Sequence, residues 1–365
     1  MSGQPALAGS NVEPDAGLRV SAAPLEAFCR AALEAAGARK DTASAATRAM
    51  MHGSRLGIDS HGVRLLEHYV TAIAGGRVNP RPDMRIASEV GAVAALDADD
   101  AHGALAAFTA MSHAVNLAER FGIGAVTIRN GSHFGPAGAY ALAAAEAGKI
   151  GLAFCNADKI VRLHGGTARF HGTNPIACAV PVPGARPWLL DMATSAVPYN
   201  RVRLYKSLGR PLPAGVASTA DGEDTSDPAQ ADVLAPLGGE LGYKGAALAG
   251  LVEILSAVLS GMRLSHELAP MGGPDFAMPR KLGAFVMALA PGAFLPEDLY
   301  QDGIERYLEA LRQSPARSGE RVLAPGDREW AEADLRAAQG MPIDPETEMA
   351  FRSLAGRYGL DLPFA

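Results

Sequence analysis

Four short segments of this chain set titratable side chains among glycines, where a backbone can approach a ligand closely. Asp59-Ser60-His61-Gly62 lies between two helical patterns. Its histidine changes charge near neutral pH, and the serine beside it can fix its tautomer, as a general acid or base requires; a capping Asp/Ser pair beside a surface histidine would read the same. Asn130-Gly131-Ser132-His133-Phe134-Gly135 follows the apolar run IGAVTIRN and precedes an alanine-rich helical run. Unpaired N–H groups at such a helix start favour an anion, so His133 can meet a substrate oxygen or a phosphate, or the segment is a turn with a capping serine. Gly172-Thr173-Asn174-Pro175 precedes Leu190-Asp191-Met192-Ala193-Thr194-Ser195. Asp191 follows an apolar strand, placed to orient a histidine, hold a ribose hydroxyl, or simply cap the next element. Leu237-Gly238-Gly239-Glu240-Leu241-Gly242-Tyr243-Lys244-Gly245 opens an apolar helix. It carries one of only six lysines among 33 basic residues, suited to a phosphate or ribose, or merely solvated.

The missing signatures narrow the chemistry. No G-x-G-x-x-G opens a helix after a strand, the nearest approach being Gly122-Ile-Gly124. A phosphate-binding G-x-x-x-x-G-K-[ST], a G-x-S-x-G elbow and an H-E-x-x-H are also missing. His164 and His171, seven apart, make no tight ligand spacing, and no metal is expected. Cys29, Cys155 and Cys178 are widely spaced, which suits a reducing cytoplasm. A formal charge of −6 lacks the basic footprint of a nucleic-acid binder. The N-terminal residues show no signal-peptide pattern. The most apolar helical stretch, GAALAGLVEILSAVLSGM, is interrupted by Glu253 and reads as a buried helix rather than a membrane span.

The elements that must position these residues follow from periodicity. Residues 1–20 read as a disordered tail. Leu25, Phe28, Cys29, Ala32 and Leu33 share one helical face, a second helix follows Lys40-Asp41-Thr42, and a third runs over VRLLEHYVTAIA, so 21–85 reads as helical. From 86 to 262 strands (AVAALDAD, IGAVTIRN, IGLAFCNA, NPIACAVPVP, PWLLDMAT) alternate with helices, the pattern of an α/β domain with a mixed sheet. Residues 263–365 add a strand, LGAFVMALAP, an amphipathic helix with Leu299, Ile304, Tyr307, Leu308 and Leu311 inward, and a last helix. They are expected to complete a discontinuous helical substrate domain built from both chain ends.

Taken in order, DSHGVRLLEHY (59–69), NGSHFGPAGAYALAAAEAGKIG (130–151), GGTARFHGTNPIACAVP (165–181), LLDMATS (189–195), TSDPAQA (225–231), APLGGELGYKG (235–245) and APGDRE (324–329) resemble the type-2 malate/L-lactate dehydrogenase family. The resemblance implies an α/β fold that binds NAD or NADP on a mixed sheet without a Rossmann fold, which accounts for the missing fingerprint. It assigns the dinucleotide to Asp191, Met192, Ala193, Thr194, Ser195, Lys244, Pro325, Gly326 and Asp327, and Asn174 joins this set. It puts the acid/base at His61 or His133, and it implies a homodimer. Arg64 stands three residues after His61, where several relatives place an arginine four after.

The expected activity is hydride transfer between nicotinamide and C2 of a small 2-oxo or 2-hydroxy acid. His61 is the favoured proton carrier, oriented by Ser60 or Asp191 and raised by a neighbouring carboxylate, with His133 second. Arg64 is the candidate for the substrate carboxylate. Reduction of a cyclic imino acid is the alternative within enzymes. A non-catalytic small-molecule binder is the alternative of another class, and a hydrolase or metal enzyme ranks third.

Overall fold

The computed structural model describes residues 17–207 and 209–364. In chain order its strands are β1 (Arg19–Val20), β2 (Arg85–Val90), β3 (Val93–Asp97), β4 (Ile123–Gly131), β5 (Ile150–Cys155), β6 (Val161–Arg162), β7 (Arg169–His171), β8 (Ile176–Val180), β9 (Trp188–Met192), β10 (Ala217–Ser218), β11 (Val233–Leu234), β12 (Leu282–Leu289) and β13 (Met341–Pro342). Its α-helices are α1 (Ala22–Ala35), α2 (Lys40–Arg55), α3 (Leu66–Ala74), α4 (Gly103–Phe121), α5 (Gly138–Glu146), α6 (Tyr199–Ser207), α7 (Tyr243–Glu253), α8 (Glu297–Arg312), α9 (Asp327–Gln339) and α10 (Pro345–Tyr358).

The apolar strands of the centre join one seven-stranded sheet of order β2-β3-β4-β12-β5-β8-β9. Its one parallel pairing is β3 with β4; the other pairings are antiparallel. That topology differs from the doubly wound parallel sheet of dinucleotide-binding folds. Helices α4 and α5 cover one face, and they lie close because both sides of the contact are small. Ala107, Ala110, Ala114, Ala141 and Ala144 are fully buried. A Cβ on Gly124 of β4 would come within 2.0 Å of the Ala114 carbonyl oxygen. On the other face Val252 of α7 packs against Phe154 and Phe285. A smaller sheet, β10-β11-β6-β7, has its own apolar cluster around Val161, Val202 and Leu234.

A second core gathers α1, α2, α3 and α10. Leu25, Phe28, Cys29, Ala32 and Leu33 are buried as their spacing predicts, and Phe28 meets Phe351 of α10 with ring centroids 5.0 Å apart. Helix α10 starts where Asp344 accepts hydrogen bonds from the Glu346 and Thr347 N–H groups, with Pro345 in the first turn.

Several expectations are corrected. Of the expected tail, residues 1–16 lie outside the described residues, while Arg19–Val20 pair with Pro342 and Met341 and Val20 is buried. Strand β12, expected within the segment completing the helical part, lies between β4 and β5 in the large sheet. Its continuous apolar run is buried on both faces, as suits a central strand covered by helices, and its backbone pairs with β4 on one side and β5 on the other. On α8, Leu308 is buried with Val182 and Ala324, and Ile304 and Leu311 pack beside it. Leu299 and Tyr307 face outward, because the contact is only an i, i+4, i+7 stripe. Strand β2 and helix α9 are additions that the sequence pattern does not announce. No described helix is long and apolar enough to cross a membrane.

Candidate active site

The turn carrying His61 is seated on α2 by close backbone approach. A Cβ on Gly62 would lie 2.3 Å from Ser54 Oγ, and the Val63 N–H donates to that oxygen at 2.9 Å. Asp59 is held from the far side by Arg336 of α9, whose Nη1 and Nη2 donate to the two carboxylate oxygens at 2.5 and 2.9 Å. Arg336 is buried and also donates to the Ser54 carbonyl. Within the turn, Ser60 Oγ and His61 Nδ1 are 2.9 Å apart.

The second histidine arrives on the loop between β4 and α5. This loop lies so close to the start of α4 that a Cβ on Gly103 would meet the His133 carbonyl oxygen at 2.2 Å. Tyr69 of α3 reaches His133 Nδ1 at 2.9 Å. Burial pushes the Tyr69 phenol up, so it stays protonated and donates, leaving His133 with its proton on Nε2. His61 and His133 stack with centroids 6.1 Å apart and planes at 14°. Both are half-buried, and neither Nε2 has a hydrogen-bond partner among the described residues. His68 contacts His133 edge-on at 6.2 Å, and Tyr69 contacts His102 at 4.2 Å. His102 caps α4 by accepting from the Ala104 N–H.

The electrostatics overturn one expectation. Among the described residues neither His61 nor His133 has a carboxylate partner, and both titrate below the usual histidine range. Burial lowers His61. Burial, then His61, His68, Arg280 and His102, lowers His133 much further. His68 is lowered to about 4 by burial and by Arg280 and Arg77, and His102 to about 3 by burial and His68. The resting site therefore holds neutral imidazoles at pH 7.

The three stretches expected to contact the dinucleotide converge on β9. The Leu189 N–H donates to the Pro325 carbonyl, Ser195 pairs with Pro236, and the Leu237 N–H donates to the Thr194 carbonyl. At the end of the strand Asp191 accepts the Gly138 N–H of α5 at 2.8 Å, and burial raises its carboxyl to about 6. Lys244 stands exposed at the start of α7, 6.0 Å from the Tyr243 ring centroid, with no acidic partner among the described residues. Gly238 and Gly239 before it have φ of +119° and +57°, and a Cβ on Gly239 would meet nothing within 4 Å. An unpaired cation beside an open glycine turn fits an anionic dinucleotide.

Other expected contacts are placed elsewhere. Asn174 is fully buried and its amide is spent on the Ala157 N–H, the Ala249 carbonyl and Glu253, so it braces loops rather than facing a cofactor. Thr194 and Ser195 turn their hydroxyls to the Thr173 and Val197 carbonyls, and the Thr194 N–H and carbonyl are taken by Thr173 and Leu237, while Met192 and Ala193 are half-buried. The Asp327 carboxylate is taken by Arg312 and the Ala324 N–H. Gly326, at φ +96°, lies against Leu189 of β9. Asp191 bonds Gly138 and not His61. Arg64 is paired with Glu346 and Asp344 at the start of α10, which occupies the proposed carboxylate clamp. Sequence reasoning misses Tyr69, His68, His102 and Arg336. The string Glu67-His68-Tyr69 holds two of them, but nothing in the sequence says which helix face meets His133. Among the described residues no three His, Cys, Asp or Glu side chains group to hold a metal ion.

Residues 20–351 match the family model described as malate/L-lactate dehydrogenase. The chain belongs to the malate/L-lactate dehydrogenase family. It is 35% identical over 312 residues to a malate dehydrogenase of Pyrococcus abyssi, covering 83% of this chain and 85% of that one. It is 33% identical to a (2R)-3-sulfolactate dehydrogenase (NADP(+)) of Chromohalobacter salexigens, covering 89% and 94%. The solved delta1-piperideine-2-carboxylate reductase of Pseudomonas syringae superposes with a TM-score of 0.82 at 27% identity, covering 93% and 100%. This family member is an oxidoreductase; among its relatives, the sulfolactate dehydrogenase is named for NADP(+) and a ureidoglycolate dehydrogenase of Escherichia coli for NAD(+).

Proposed function

We propose that this malate/L-lactate dehydrogenase family member interconverts a small 2-hydroxy acid and its 2-oxo acid, with His61 as the proton carrier and His133 as a neutral hydrogen-bond donor. The observation that carries this is the stacked His61–His133 pair with both Nε2 atoms unpartnered, joined through the loop and start of α5 to β9. A nicotinamide dinucleotide, when bound, supplies or receives the hydride at C4. Lys244, Met192 and Ala193 at the end of β9 and the Pro325-Gly326 turn would hold it; Asp191 fixes α5 to that strand.

The two histidines divide the work because their surroundings differ. His133, lowered by four charged or titratable neighbours, stays neutral, and its Nε2–H polarises the C2 oxygen. His61, lowered by burial alone, is the easier to protonate. In reduction His61 gives its proton to the oxygen that gains negative charge; in oxidation its neutral ring removes the hydroxyl proton. Ser60 stays with Nδ1 in both directions.

The test is a panel of 2-oxo, 2-hydroxy and cyclic imino acids, with NADH and NADPH in parallel. His61→Ala is expected to lower kcat by roughly 10²- to 10⁴-fold with dinucleotide affinity unchanged. Turnover within a few-fold of wild type would remove His61 from the role. The likeness to the piperideine-2-carboxylate reductase supports the imino-acid reading as second, with the same proton delivered to nitrogen. We also read the protein as a cytoplasmic homodimer. Three unpaired cysteines support the compartment, and the exposed apolar side chains Leu248, Leu251, Ile254, Val258 and Leu259 along α7 and the turn after it support the dimer.

A further inference from the structure

With Arg64 spent on α10, the substrate needs another cation, and one buried arginine has a donor to spare. Arg280 stands just before β12. Lys281 after it takes a left-handed φ of +58° and pairs with Asp100, while the Arg280 side chain is buried at 1% exposure. Its Nε donates to the Ala269 carbonyl at 3.0 Å and its Nη2 to Asp158 Oδ1 at 2.6 Å. The other Asp158 oxygen accepts the Met271 N–H, so this carboxylate is fully used in holding the guanidinium in place. Among the described residues Arg280 Nη1 has no acceptor. Buried arginine nitrogens are normally satisfied, so a bare one marks a place for an acceptor from outside the protein.

We propose that Arg280 is the anchor for the substrate carboxylate, its Nη1 donating to one carboxylate oxygen. The inference rests on the 2-oxo/2-hydroxy acid reading above. In such an acid the carboxylate and the C2 oxygen sit on neighbouring carbons, so the group that grips one must flank the group that grips the other. Arg280 does: Asp158 ties it to Met271, the Met271 carbonyl accepts from Arg77, and Arg77 lies over Phe276, whose ring meets His68 at 5.7 Å, with His68 6.2 Å from His133. The other cations here are held elsewhere, although Arg77 Nε also lacks an acceptor among the described residues. Both terminal nitrogens of Arg77 serve the Met271 and Asp275 carbonyls, its guanidinium lies over Phe276, and Lys281 is held by Asp100. Among the described residues His68 makes ring contacts with Tyr69, His133 and Phe276.

The experiment uses pyruvate, its methyl ester, and oxamate as a non-reacting probe, each with NADH present. Arg280→Gln is expected to weaken oxamate binding and raise KM for pyruvate by roughly 100-fold, the scale of a charged hydrogen bond. NADH binding and turnover of the uncharged ester should stay within a few-fold of wild type. Arg64→Gln should leave all of these nearly unchanged. Should Arg280→Gln not fold, Arg280→Lys keeps the charge but loses the forked geometry, and a carboxylate-specific loss of at least tenfold is then expected. Oxamate and pyruvate handled as by wild type in the folded variants, or an equal loss for acid and ester, overturns the assignment. Wild type inert towards the whole panel of oxo, hydroxy and imino acids overturns the functional reading instead, and oxamate binding then still tells whether Arg280 grips a carboxylate.

Discussion

His61 and His133 differ in what surrounds them more than in what they are. Each has its Nδ1 engaged by a hydroxyl, Ser60 Oγ for one and Tyr69 OH for the other, so each presents Nε2. Because burial lowers His61, its imidazolium accumulates only at a pH below the ordinary histidine range. Reduction, which needs the imidazolium, should therefore quicken as pH falls through this range. Oxidation, which needs the neutral ring, should be level at and above neutrality and fade on the acid side. Initial rates in both directions between pH 5 and 9 check this, and a reduction limb centred above pH 7 would sink it. Tyr69→Phe removes the donor that fixes the His133 tautomer and should cost roughly tenfold in kcat, near the upper end for one hydrogen bond.

At the scale of elements, the site depends on helices and loops approaching more closely than side chains allow. Gly103 begins α4 beneath the His133 carbonyl, with no room for a Cβ. Gly103→Ala must push the loop away, at about 1–3 kcal/mol of stability by analogy with overpacking. Because the displaced atom belongs to His133 itself, kcat should fall with it. Urea unfolding beside steady-state kinetics tests the pairing; lost stability with intact kcat would separate loop position from catalysis. Helix α9 acts on the other turn through Arg336, which reaches from its last turn to Asp59. In the sequence that element shows only as a turn, since APGDRE displays its glycine and acid but not the amphipathic helix behind them.

Across the whole molecule, one helix faces two ways. Val252 and Glu253 of α7 point inward. Glu253 accepts from Asn174 and from both the backbone and hydroxyl of Ser265, tying the loops near β9 together. On the other side Leu251 is 47% exposed and Val258, in the π-helical turn beyond α7, 58%. An apolar stripe of that kind needs a cover. Val258→Asp should convert a dimer to a monomer in sedimentation analysis, while a wild-type monomer at micromolar concentration would remove the dimer reading. Lys244 lies at the start of this same helix, so loss of the dimer is expected to weaken dinucleotide binding as well.

The local chemistry is legible in order along the chain. His61, His133, Asp191 and Lys244 each stand out as a polar residue among glycines, the apolar spacing of α1 predicts its buried face, and the run of motifs carries the family. What the linear chain does not supply is distance. Whether Asp191 serves His61 or Gly138, whether Arg64 is free or held by Glu346 and Asp344, and whether Asn174 faces a ligand or a brace are decided by residues far away in sequence. The same holds for the insertion of β12 between β4 and β5. Sequence sets which groups can ionise or bond, because those are properties of side chains. Tertiary structure decides which of them do, because burial and partnership set the cost of each charge, and both depend on neighbours that only folding brings together.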